Sequence, residues 1–434
     1  MSDVPAPASA PSPSVPWPGP FTHFLGLDWA TEHHVVCLVD RNGVVALRLD
    51  FTDDVAGWKA LADNLDAVAP RACICATIET SKGVVVEKML QLQLAVYPIR
   101  PVAAVAYRQR KAPSGVKDDM LDAWSMADAL RTDGSSWKRI MPEDPIIAEL
   151  LLLCRDEVHL IEKRTACVQE LGAALREYYP TVLEAFEELT LQCVREFLKK
   201  YPTPEVLSKA GERSWRKFLK THRLTHPETH QKRMEAFARA GEWSAPESTV
   251  RAKSLLAVSL AEQLIVIDRM LDEYRKRIGE LFNSHPNAHL FGSLPGVGDK
   301  LAPRLMAGIG DITKFASVQE LAAYAGTAPV TNRSGNSCRV KIRRACDMLL
   351  RSTMRHWAIH SLQSSAWAKV YCDTKRETKG YETALRCLGQ RWIKILWAML
   401  VENKPYDEAR HTKDQIEHGS WCLTLKPEPK PTTR

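Results

Sequence analysis

A short polar turn between two apolar runs constrains the start of this 434-residue chain more than any other feature. Arg41-Asn42-Gly43 separates the apolar run His34–Asp40 from the apolar run Val44–Asp50. Asn-Gly between two such runs is a strong signal of a β-hairpin, because both residues tolerate the positive φ that a tight hairpin turn requires. With Phe24–Ala30 just before them, the pattern predicts three consecutive strands that pair as neighbours.

The apolar spacing then alternates between that of helices and that of strands. Helical spacing covers Gly57–Val68, Gly83–Leu94, Ala103–Arg110 and Asp119–Arg131, and strand-like runs cover Ala72–Ile78 and Ala95–Arg100. Three strands followed by alternating helices and strands is the order of the RNase H-like fold. We therefore predict an α/β domain of this fold over residues 21–140.

The middle of the chain, residues 141–288, has the spacing of a charged helical region. Ile146–Tyr178 and Thr249–Phe282 are long enough to form paired helices or a coiled coil. Pro202–Pro246 contains four prolines and predicts shorter helices and loops. A helical spacer and a dimerisation element explain this region equally well.

The last part of the chain predicts a mostly helical domain over residues 289–405. Within it, Ser293–Ile309 has the pattern of a helix-hairpin-helix, in which a Gly-Val-Gly turn joins two helices.

The sequences of both chain ends predict little ordered structure. Residues 1–20 hold seven prolines among Ala and Ser and predict a disordered tail, and residues 406–434 are polar, rich in Pro and Lys, and predict a loosely ordered tail.

Composition excludes some classes of protein and favours others. No stretch approaches the roughly 18 apolar residues of a membrane helix, so we expect no membrane partner. Residues 1–20 lack the cationic start and apolar core of a signal peptide, and the eleven scattered cysteines predict reduced thiols, both typical of a cytoplasmic protein. A formal net charge of +7 favours anionic partners without identifying one.

Four acids follow the predicted strands and helices in an order that suits a metal site. Asp28 interrupts an apolar strand, where a carboxylate is costly unless it is paired or binds metal. Glu79 ends the fourth strand, and Asp119 and Asp122 lie on one face of a helix. Oxygen ligands that converge in this way suit one or two Mg²⁺ ions, which assist phosphoryl transfer.

Each of these acids alone has a plainer explanation. Asp119 or Asp122 could complement the dipole at a helix N-terminus, and Glu79 could cap the helix that follows it. Asp118 competes with its neighbour as a candidate ligand, but the three-residue step to Asp122 selects Asp119. The four acids together favour a metal site.

Two segments of the C-terminal domain predict contacts with nucleic acid. In the hairpin, Gly296 and Gly298 leave backbone amides exposed beside Lys300, so that a phosphate can dock without sequence being read. Between Arg333 and Arg355 there are seven Lys or Arg and one Asp, a density that predicts a basic helix on a phosphate backbone. Its predicted nucleic-acid ligands are Arg333, Arg339, Lys341, Arg343 and Arg344. An ordinary glycine turn and a solvated helix face are the alternatives.

A serine lies in the same basic region. Thr331–Ser337 has the composition of a short polar loop, and this loop contains Ser334. A serine hydroxyl is a poor nucleophile unless a base or a metal activates it, and flanking arginines would supply only cations. From the residues alone, Ser334 is an ordinary loop serine.

Taken together, these motifs resemble the IS110 family of insertion-sequence transposases. The N-terminal series is similar to the DEDD domain of that family: Asp28, Glu79, Lys117, Asp119 and Asp122-Ala123. A denser series is similar to its C-terminal transposase domain: Leu294–Gly298, Ile309–Asp311, Phe315, Leu321–Gly326, Ala328-Pro329 and Ser334-Gly335. The resemblance covers residues 22–135 and 290–400.

The resemblance implies a function that the residues alone do not. It implies an RuvC-like fold that holds Mg²⁺ on Asp28, Glu79, Asp119 and Asp122, and a Ser334 that attacks DNA to form a covalent 5′-phosphoserine link. It also implies a homo-oligomer, a dimer or tetramer, in which the carboxylates of one subunit act with the serine of another. A structured bridge RNA would pair with donor and target DNA and supply the choice of sequence.

The chain departs from the family in two respects. It is long, because of Pro202–Pro246 and both tails, and it has a second serine, Ser337, in the same loop. Two other interpretations stay open: an RuvC-like metal-dependent nuclease or Holliday-junction resolvase with water as nucleophile, and a non-catalytic nucleic-acid-binding protein. The transposase interpretation explains the hairpin, the serine and the basic segment together.

Overall fold

The structure, a computed structural model, describes residue 17 and residues 20–112, 118–242, 245–335 and 337–419. Contacts between residues divide the chain into two units, residues 1–142 and residues 143–434. Each unit has a hydrophobic core of its own.

A five-stranded mixed sheet forms the centre of the first unit. Its strands are β1 (His23–Trp29), β2 (His33–Asp40), β3 (Val45–Thr52), β4 (Ile74–Ile78) and β5 (Ala95–Pro98). They lie in the order β3-β2-β1-β4-β5, with β1 to β3 antiparallel and with β4 and β5 parallel to β1. The predicted mixed α/β domain is confirmed, and this strand order is consistent with the RNase H-like fold.

The predicted Asn-Gly turn joins β2 to β3. Asp40 Oδ1 accepts hydrogen bonds from the backbone N–H groups of Asn42 and Val44, both at 2.8 Å, and Gly43 has a φ of +83°. A side-chain acceptor at the start of a turn and a glycine in the left-handed region both stabilise a tight turn. The turn in this way fixes the register of β2 against β3.

Four helices accompany the sheet. They are α1 (Val55–Val68), α2 (Val84–Gln91), α3 (Pro101–Lys111) and α4 (Asp119–Asp133). The backbone of α4 lies directly on β1 at Gly26. A β-carbon placed on Gly26 would come within 2.0 Å of the carbonyl oxygen of Ala123 and 2.6 Å of the backbone nitrogen of Ala127. Only a residue without a β-carbon fits between this strand and this helix.

Trp17 is an ordered residue within the segment that was predicted to be a disordered tail. Its indole Nε1 donates a hydrogen bond to the carbonyl oxygen of Arg131 at 3.0 Å. Its ring centroid lies 5.4 Å from that of Phe24 and 5.3 Å from that of Tyr97. The Trp17 side chain thus gains apolar contact with the sheet, and the disordered tail over residues 1–20 stays a prediction. Residues 1–16, 18 and 19 lie outside the described residues.

Helices make up most of the second unit. In its first half they are α5 (Pro145–Tyr178), α6 (Pro180–Ala185), α7 (Gln192–Lys200), α8 (Pro204–Thr221), α9 (Pro227–Ala238) and α10 (Glu247–Ser284). In its second half they are α11 (Ala288–Gly292), α12 (Gly298–Ile309), α13 (Val318–Tyr324), α14 (Met348–Ser364), α15 (Ala366–Lys379), α16 (Tyr381–Glu402) and α17 (Glu408–Glu417). A two-stranded ribbon, β6 (Val330–Ser334) and β7 (Ser337–Lys341), lies between α13 and α14 in the chain. The helical character predicted for this part of the chain is confirmed.

The long helices α5 and α10 lie antiparallel against each other. Arg277 pairs with Glu149 at 2.7 Å, and further along the contact Arg164 pairs with Asp268 at 2.6 Å. The α10 helix has 38 residues and is therefore about 57 Å long. The two segments that predict paired helices thus pair with each other within one chain.

A buried carboxylate connects this helix pair to α12. Glu157 of α5 is 2% exposed and accepts hydrogen bonds from Arg304 of α12 at 2.7 Å and from Arg275 of α10 at 3.2 Å. The two guanidinium groups offset the free-energy cost of burying the negative charge of Glu157 in an apolar interior. The three helices are therefore fixed at one point.

The pair formed by α5 and α10 joins two hydrophobic cores. At one end, Ile147 and Ile278 belong to the core that α11 to α16 form. At the other end, Leu171 and Leu264 belong to a separate core with α6 to α9, in which the ring of Phe197 is central. The proline-rich segment that predicts shorter helices and loops supplies α8 and α9 to this second core.

The predicted loosely ordered C-terminal tail begins with ordered residues. Tyr406 lies against Trp392 with ring centroids 5.7 Å apart, and its hydroxyl accepts a hydrogen bond from Nε1 of Trp367 at 3.1 Å. The α17 helix follows directly. Aromatic contacts thus hold the start of this segment to the core, and the loosely ordered tail over residues 406–434 stays a prediction. Residues 420–434 lie outside the described residues.

Two expectations about the class of protein can be compared with the part of the chain that the structure describes. None of its helices is long and apolar enough to cross a membrane. Its ten cysteines are free thiols, in agreement with the reduced state that the sequence predicts.

Gly26→Ala should weaken the packing of α4 on β1. The added methyl group meets backbone atoms that cannot rotate away, so we expect the first unit to lose roughly 1–3 kcal/mol of stability. Hydrogen exchange followed by mass spectrometry on the full-length protein measures this, as faster exchange in β1 and α4. The control is Gly279→Ala in α10, where a β-carbon would meet no described atom within 4 Å and alanine favours the helix. Unchanged exchange in β1 and α4 of Gly26→Ala would contradict the packing argument.

Candidate functional site

The parallel pairing of β1 and β4 brings two of the candidate acids to the same edge of the sheet. Leu27 lies opposite Ile78 in the register; Asp28 follows Leu27 on β1, and Glu79 directly follows the last residue of β4. Adjacent strands lie about 4.8 Å apart, and both acids are half-buried. The strand register therefore brings these two residues to the same edge of the sheet.

The α4 helix presents the other two acids. Its N-cap is Asp118, whose side chain accepts a hydrogen bond from the backbone N–H of Leu121 at 3.3 Å. Asp119 is the first residue of the helix, and Asp122 lies one turn further along the same face. Asp118 thus caps the helix and leaves Asp119 to face the sheet edge. Lys117 of the sequence motif lies outside the described residues.

Three carboxylates converge at this edge of the sheet. One oxygen atom from each of Asp28, Asp119 and Asp122 lies within 4.8 Å of the other two. Asp119 is exposed, Asp28 is half-buried and Asp122 is 9% exposed. At such distances each pair of negative charges repels by about 3 kcal/mol near a protein surface, so the cluster requires compensating cations. In the described structure Glu79 borders this group of three without belonging to it.

Arg108 of α3 supplies one such cation. Its Nη1 lies 2.8 Å from Oδ1 and 2.7 Å from Oδ2 of Asp122. The hydrogen bond to Asp122 raises the pKa of Arg108 above its already high value; burial opposes this, and the negative charges of Asp122, Glu79 and Asp28 add to it. Arg108 was not among the predicted site residues. Its signal in the sequence is the basic run 108–111 at the end of a helix, shortly before two acids.

The cluster offers oxygen donors of the kind that hard divalent cations bind. Mg²⁺ prefers carboxylate oxygens, and three of them within 4.8 Å of one another can contact a single ion. Glu79, which directly follows β4, is not one of this group of three. The residues present therefore fit a divalent metal ion.

The glycines of the predicted helix-hairpin-helix have different surroundings. The turn follows the short α11 and leads into α12. Gly296 has a φ of +79°, and a β-carbon there would lie 2.8 Å from backbone atoms of His360 and Ser361 in α14. Gly296 is therefore needed for packing between the turn and α14. Gly298 and Lys300, at the start of α12, are exposed.

Ser334 ends an exposed β-strand and does not lie in the polar loop that the sequence predicts. It belongs to β6, which pairs with β7 in an antiparallel ribbon, and it is opposite Ser337 beside the turn. The described residues from Thr331 to Lys341 are all exposed. The loop prediction is wrong because a strand with two polar faces lacks the apolar alternation by which strands are recognised.

The basic segment is not a helix over most of its length. Arg333, Arg339 and Lys341 lie on the ribbon, and Arg343 and Arg344 lie in the segment between β7 and α14. The α14 helix begins only at residue 348. The predicted basic helix is therefore wrong, because most of its cations precede the helix that follows.

The strand pairing assigns the side chains of the ribbon to two faces. Directly opposite residues of an antiparallel pair project from the same face, and neighbours along a strand project from opposite faces. Ser334 is opposite Ser337, and Asn332 is opposite Arg339, so these four residues share one face. Arg333 lies on the other face.

Comparison with known proteins decides which family the chain belongs to. Residues 25–180 match a family model described as a transposase, of the DEDD type of IS110, and residues 288–373 match the transposase family IS116/IS110/IS902. A Streptomyces coelicolor protein, named as the candidate mini-circle transposase for IS117, is 30% identical over 403 residues, which cover 91% of this chain and 97% of that protein. The chain belongs to the IS110 family of transposases. As a member of this family it is a DNA transposase or recombinase.

Two further relatives of this IS110-family transposase differ in how much of the chain they match. An uncharacterised protein of the insertion element IS116 in Streptomyces clavuligerus is 25% identical over 393 residues, 89% of this chain and 96% of that protein. A pilin gene-inverting protein of Moraxella bovis is 29% identical over 143 residues, 31% of this chain and 44% of that protein. The four acids lie within the first family match and Ser334 lies within the second.

Asp119→Asn should weaken the binding of Mg²⁺ or Mn²⁺ by about ten-fold or more, because it removes a charged oxygen ligand from the cluster. Calorimetric titration of the full-length protein measures the affinity. Asp118→Asn is the matched control, since it makes the same change one residue earlier and asparagine still caps a helix. Equal losses of affinity in the two variants would rule out a special role for Asp119.

Proposed function

We propose that this IS110-family transposase cuts and rejoins DNA through a covalent 5′-phosphoserine intermediate on Ser334, with a divalent metal ion held by four acids. The acids are Asp28, Glu79, Asp119 and Asp122. The convergence of three of them within 4.8 Å carries the proposal. A cluster of acids serves phosphoryl transfer, and a serine on an exposed ribbon suits attack on a phosphate within a long polymer.

The proposed reaction exchanges one phosphate ester for another at Ser334. The Oγ atom attacks phosphorus, the Oγ–P bond forms and the bond from phosphorus to the 3′ oxygen of DNA breaks. The hydroxyl proton passes to a carboxylate or to water, and the departing 3′ oxygen takes up a proton. A 3′ hydroxyl of the strand to be joined then attacks the same phosphorus and releases Ser334. The number of ester bonds is conserved, so the reaction needs no external source of energy.

In the proposal, the carboxylates of a second copy of the chain act on the phosphate that Ser334 attacks. Bound Mg²⁺ would supply stabilisation of the negative charge that develops on the attacking and leaving oxygens. Asp28 and Asp122 are attached to packed elements, a sheet strand and the helix that lies on it. Their carboxylates therefore need little reorganisation to act as ligands.

Exposed groups of the second unit would hold the DNA backbone. Arg339 and Lys341 share the face of the ribbon that carries Ser334. The exposed start of α12, with Gly298 and Lys300, has backbone N–H groups that suit a phosphate oxygen. In this role the turn before α12 acts as a helix-hairpin-helix. The first unit, with its metal-binding acids, is in the proposal an RuvC-like domain.

A structured bridge RNA and a homo-oligomer, dimer or tetramer, complete the proposal. Lys and Arg on the exposed ribbon suit phosphate contacts, which carry no sequence information directly. In the proposal, the choice of sequence comes from pairing between nucleic acids. An exposed Ser334 suits action with the carboxylates of a second copy of the chain. One relative is named for inverting a pilin gene, and inversion requires that cut ends be rejoined, as a covalent intermediate allows.

The wild-type protein, given its RNA, Mg²⁺ and DNA with matching sites, should form a protein–DNA adduct that resists denaturant. Ser334→Ala and Asp122→Asn should both abolish the adduct, because one removes the nucleophile and the other removes a metal ligand. Ser337→Ala is the matched control on the opposite strand and should retain it. Gel electrophoresis and mass spectrometry of the linked peptide measure the result. Cleavage without an adduct, unchanged in Ser334→Ala, would indicate a metal-dependent nuclease or resolvase that uses water.

Arg339→Gln should slow formation of the adduct by about ten-fold or more, because a cation beside the reacting phosphate is lost. Arg333→Gln should slow it much less, since Arg333 lies on the opposite face of the ribbon. Both variants lose one exposed positive charge, so a general loss of DNA affinity is the same in both. Single-turnover rates at saturating DNA measure the difference. Equal rates in the two variants would contradict the assignment of faces.

A further inference from the structure

We propose that Arg108 is an internal counter-cation that occupies the carboxylate cluster until a divalent metal ion displaces it. The inference rests on the metal-binding role proposed above for these carboxylates. It adds a residue that controls how tightly the cluster binds metal. Arg108 is thereby a positioning residue and not a catalytic one.

Arg108 lies where a metal ion would bind. Its Nη1 is within hydrogen-bonding distance of both carboxylate oxygens of Asp122, at 2.8 and 2.7 Å. Asp122 in turn has an oxygen within 4.8 Å of oxygens of Asp28 and Asp119. The side chain of Arg108 is 20% exposed and that of Asp122 is 12% exposed, so water screens this ion pair less than one at the open surface.

A metal ion and Arg108 Nη1 cannot both occupy the edge of Asp122 that lies between its two carboxylate oxygens, since Nη1 already contacts both of them. Mg²⁺ binds carboxylate oxygen at about 2.1 Å. A guanidinium nitrogen that stays 2.7 Å from the same oxygen would then lie next to a double positive charge. Binding of a metal ion at this edge of Asp122 therefore requires the Arg108 side chain to move away.

The rest of α3 is held in place by contacts that do not involve Arg108. Lys111 pairs with Asp128 at 2.8 Å, and the hydroxyl of Tyr107 donates a hydrogen bond to Asp133 at 2.6 Å. Both contacts join α3 to α4. The backbone of α3 can therefore stay where it is while the long side chain of Arg108 rotates.

The same charge has opposite effects on the two states of the cluster. Without metal, the guanidinium offsets part of the repulsion among the carboxylates and stabilises their arrangement. When metal binds, this favourable pair is lost, so the apparent affinity for metal is lower than the carboxylates alone would give. Arg110, on the same helix two residues further on, is exposed and allows a comparison at equal net charge.

The test measures metal binding by the full-length protein without nucleic acid. Mn²⁺ and, separately, Mg²⁺ are titrated by calorimetry into wild type, Arg108→Gln and Arg110→Gln. Arg108→Gln should bind metal about ten-fold more tightly than wild type, and Arg110→Gln should stay within about two-fold of it. The melting temperature of metal-free Arg108→Gln should fall, and metal should raise it by more than it raises that of wild type.

Arg108→Lys retains the positive charge and should bind metal nearly as wild type does, which separates competition from a general change in folding. Unchanged or weaker binding in Arg108→Gln would overturn the role of Arg108. If Asp28→Asn and Asp122→Asn bind metal as well as wild type, or if no variant binds metal, the proposed metal site is itself wrong and Arg108 has no such role. If metal binding requires both aspartates but has the same affinity in Arg108→Gln as in wild type, only the displacement of Arg108 by metal is wrong and the metal site itself stands.

Discussion

The approach of α4 to β1 over Gly26 is the contact on which the arrangement of the first unit depends. Gly26 lies two residues before Asp28, and Ala123, whose carbonyl oxygen takes up the space of a missing side chain, directly follows Asp122. One packing contact therefore sets the distance between acids that are far apart in the chain. Burial of α4 against the sheet and assembly of the carboxylates are the same event, so a change that loosens the packing also loosens the candidate site.

The two units differ in how their charged side chains are paired and exposed. In the first unit, half-buried and buried acids have cations from the same unit: Asp122 pairs with Arg108, and Asp128 pairs with Lys111. On the ribbon of the second unit, Arg339 and its neighbours are exposed. The first pattern keeps carboxylates in a fixed geometry, and the second leaves positive charge available to a long anionic partner. The first unit thus holds its carboxylates in place by internal ion pairs, whereas the ribbon of the second unit leaves its cations open to solvent.

Local signals in the sequence were sufficient for the sheet of the first unit. The Asn42-Gly43 turn and the alternation of apolar runs each act over a few residues, and they predict the strands in the order in which they occur. Arg108 could not be predicted in this way, because it meets Asp122 only through the packing of α3 on α4. The strand that carries Ser334 was missed for a different reason: both of its faces are exposed, so no apolar residue marks its period. Patterns of apolar residues indicate which residues of a helix or strand are buried. They do not reveal which side chains of different elements meet, and they do not reveal a strand whose two faces are both exposed.

The second hydrophobic core, at the end of α5 and α10 remote from Glu157 and α12, has a consequence for how such chains can diverge. It is built from α6 to α9 together with the adjoining turns of the two long helices, and it shares no residue with the core that surrounds α12 and α14. Mutations, insertions and deletions there meet few constraints from the helices that carry the serine ribbon. A lineage can therefore remodel this module while the packing around α12 and α14 is inherited unchanged.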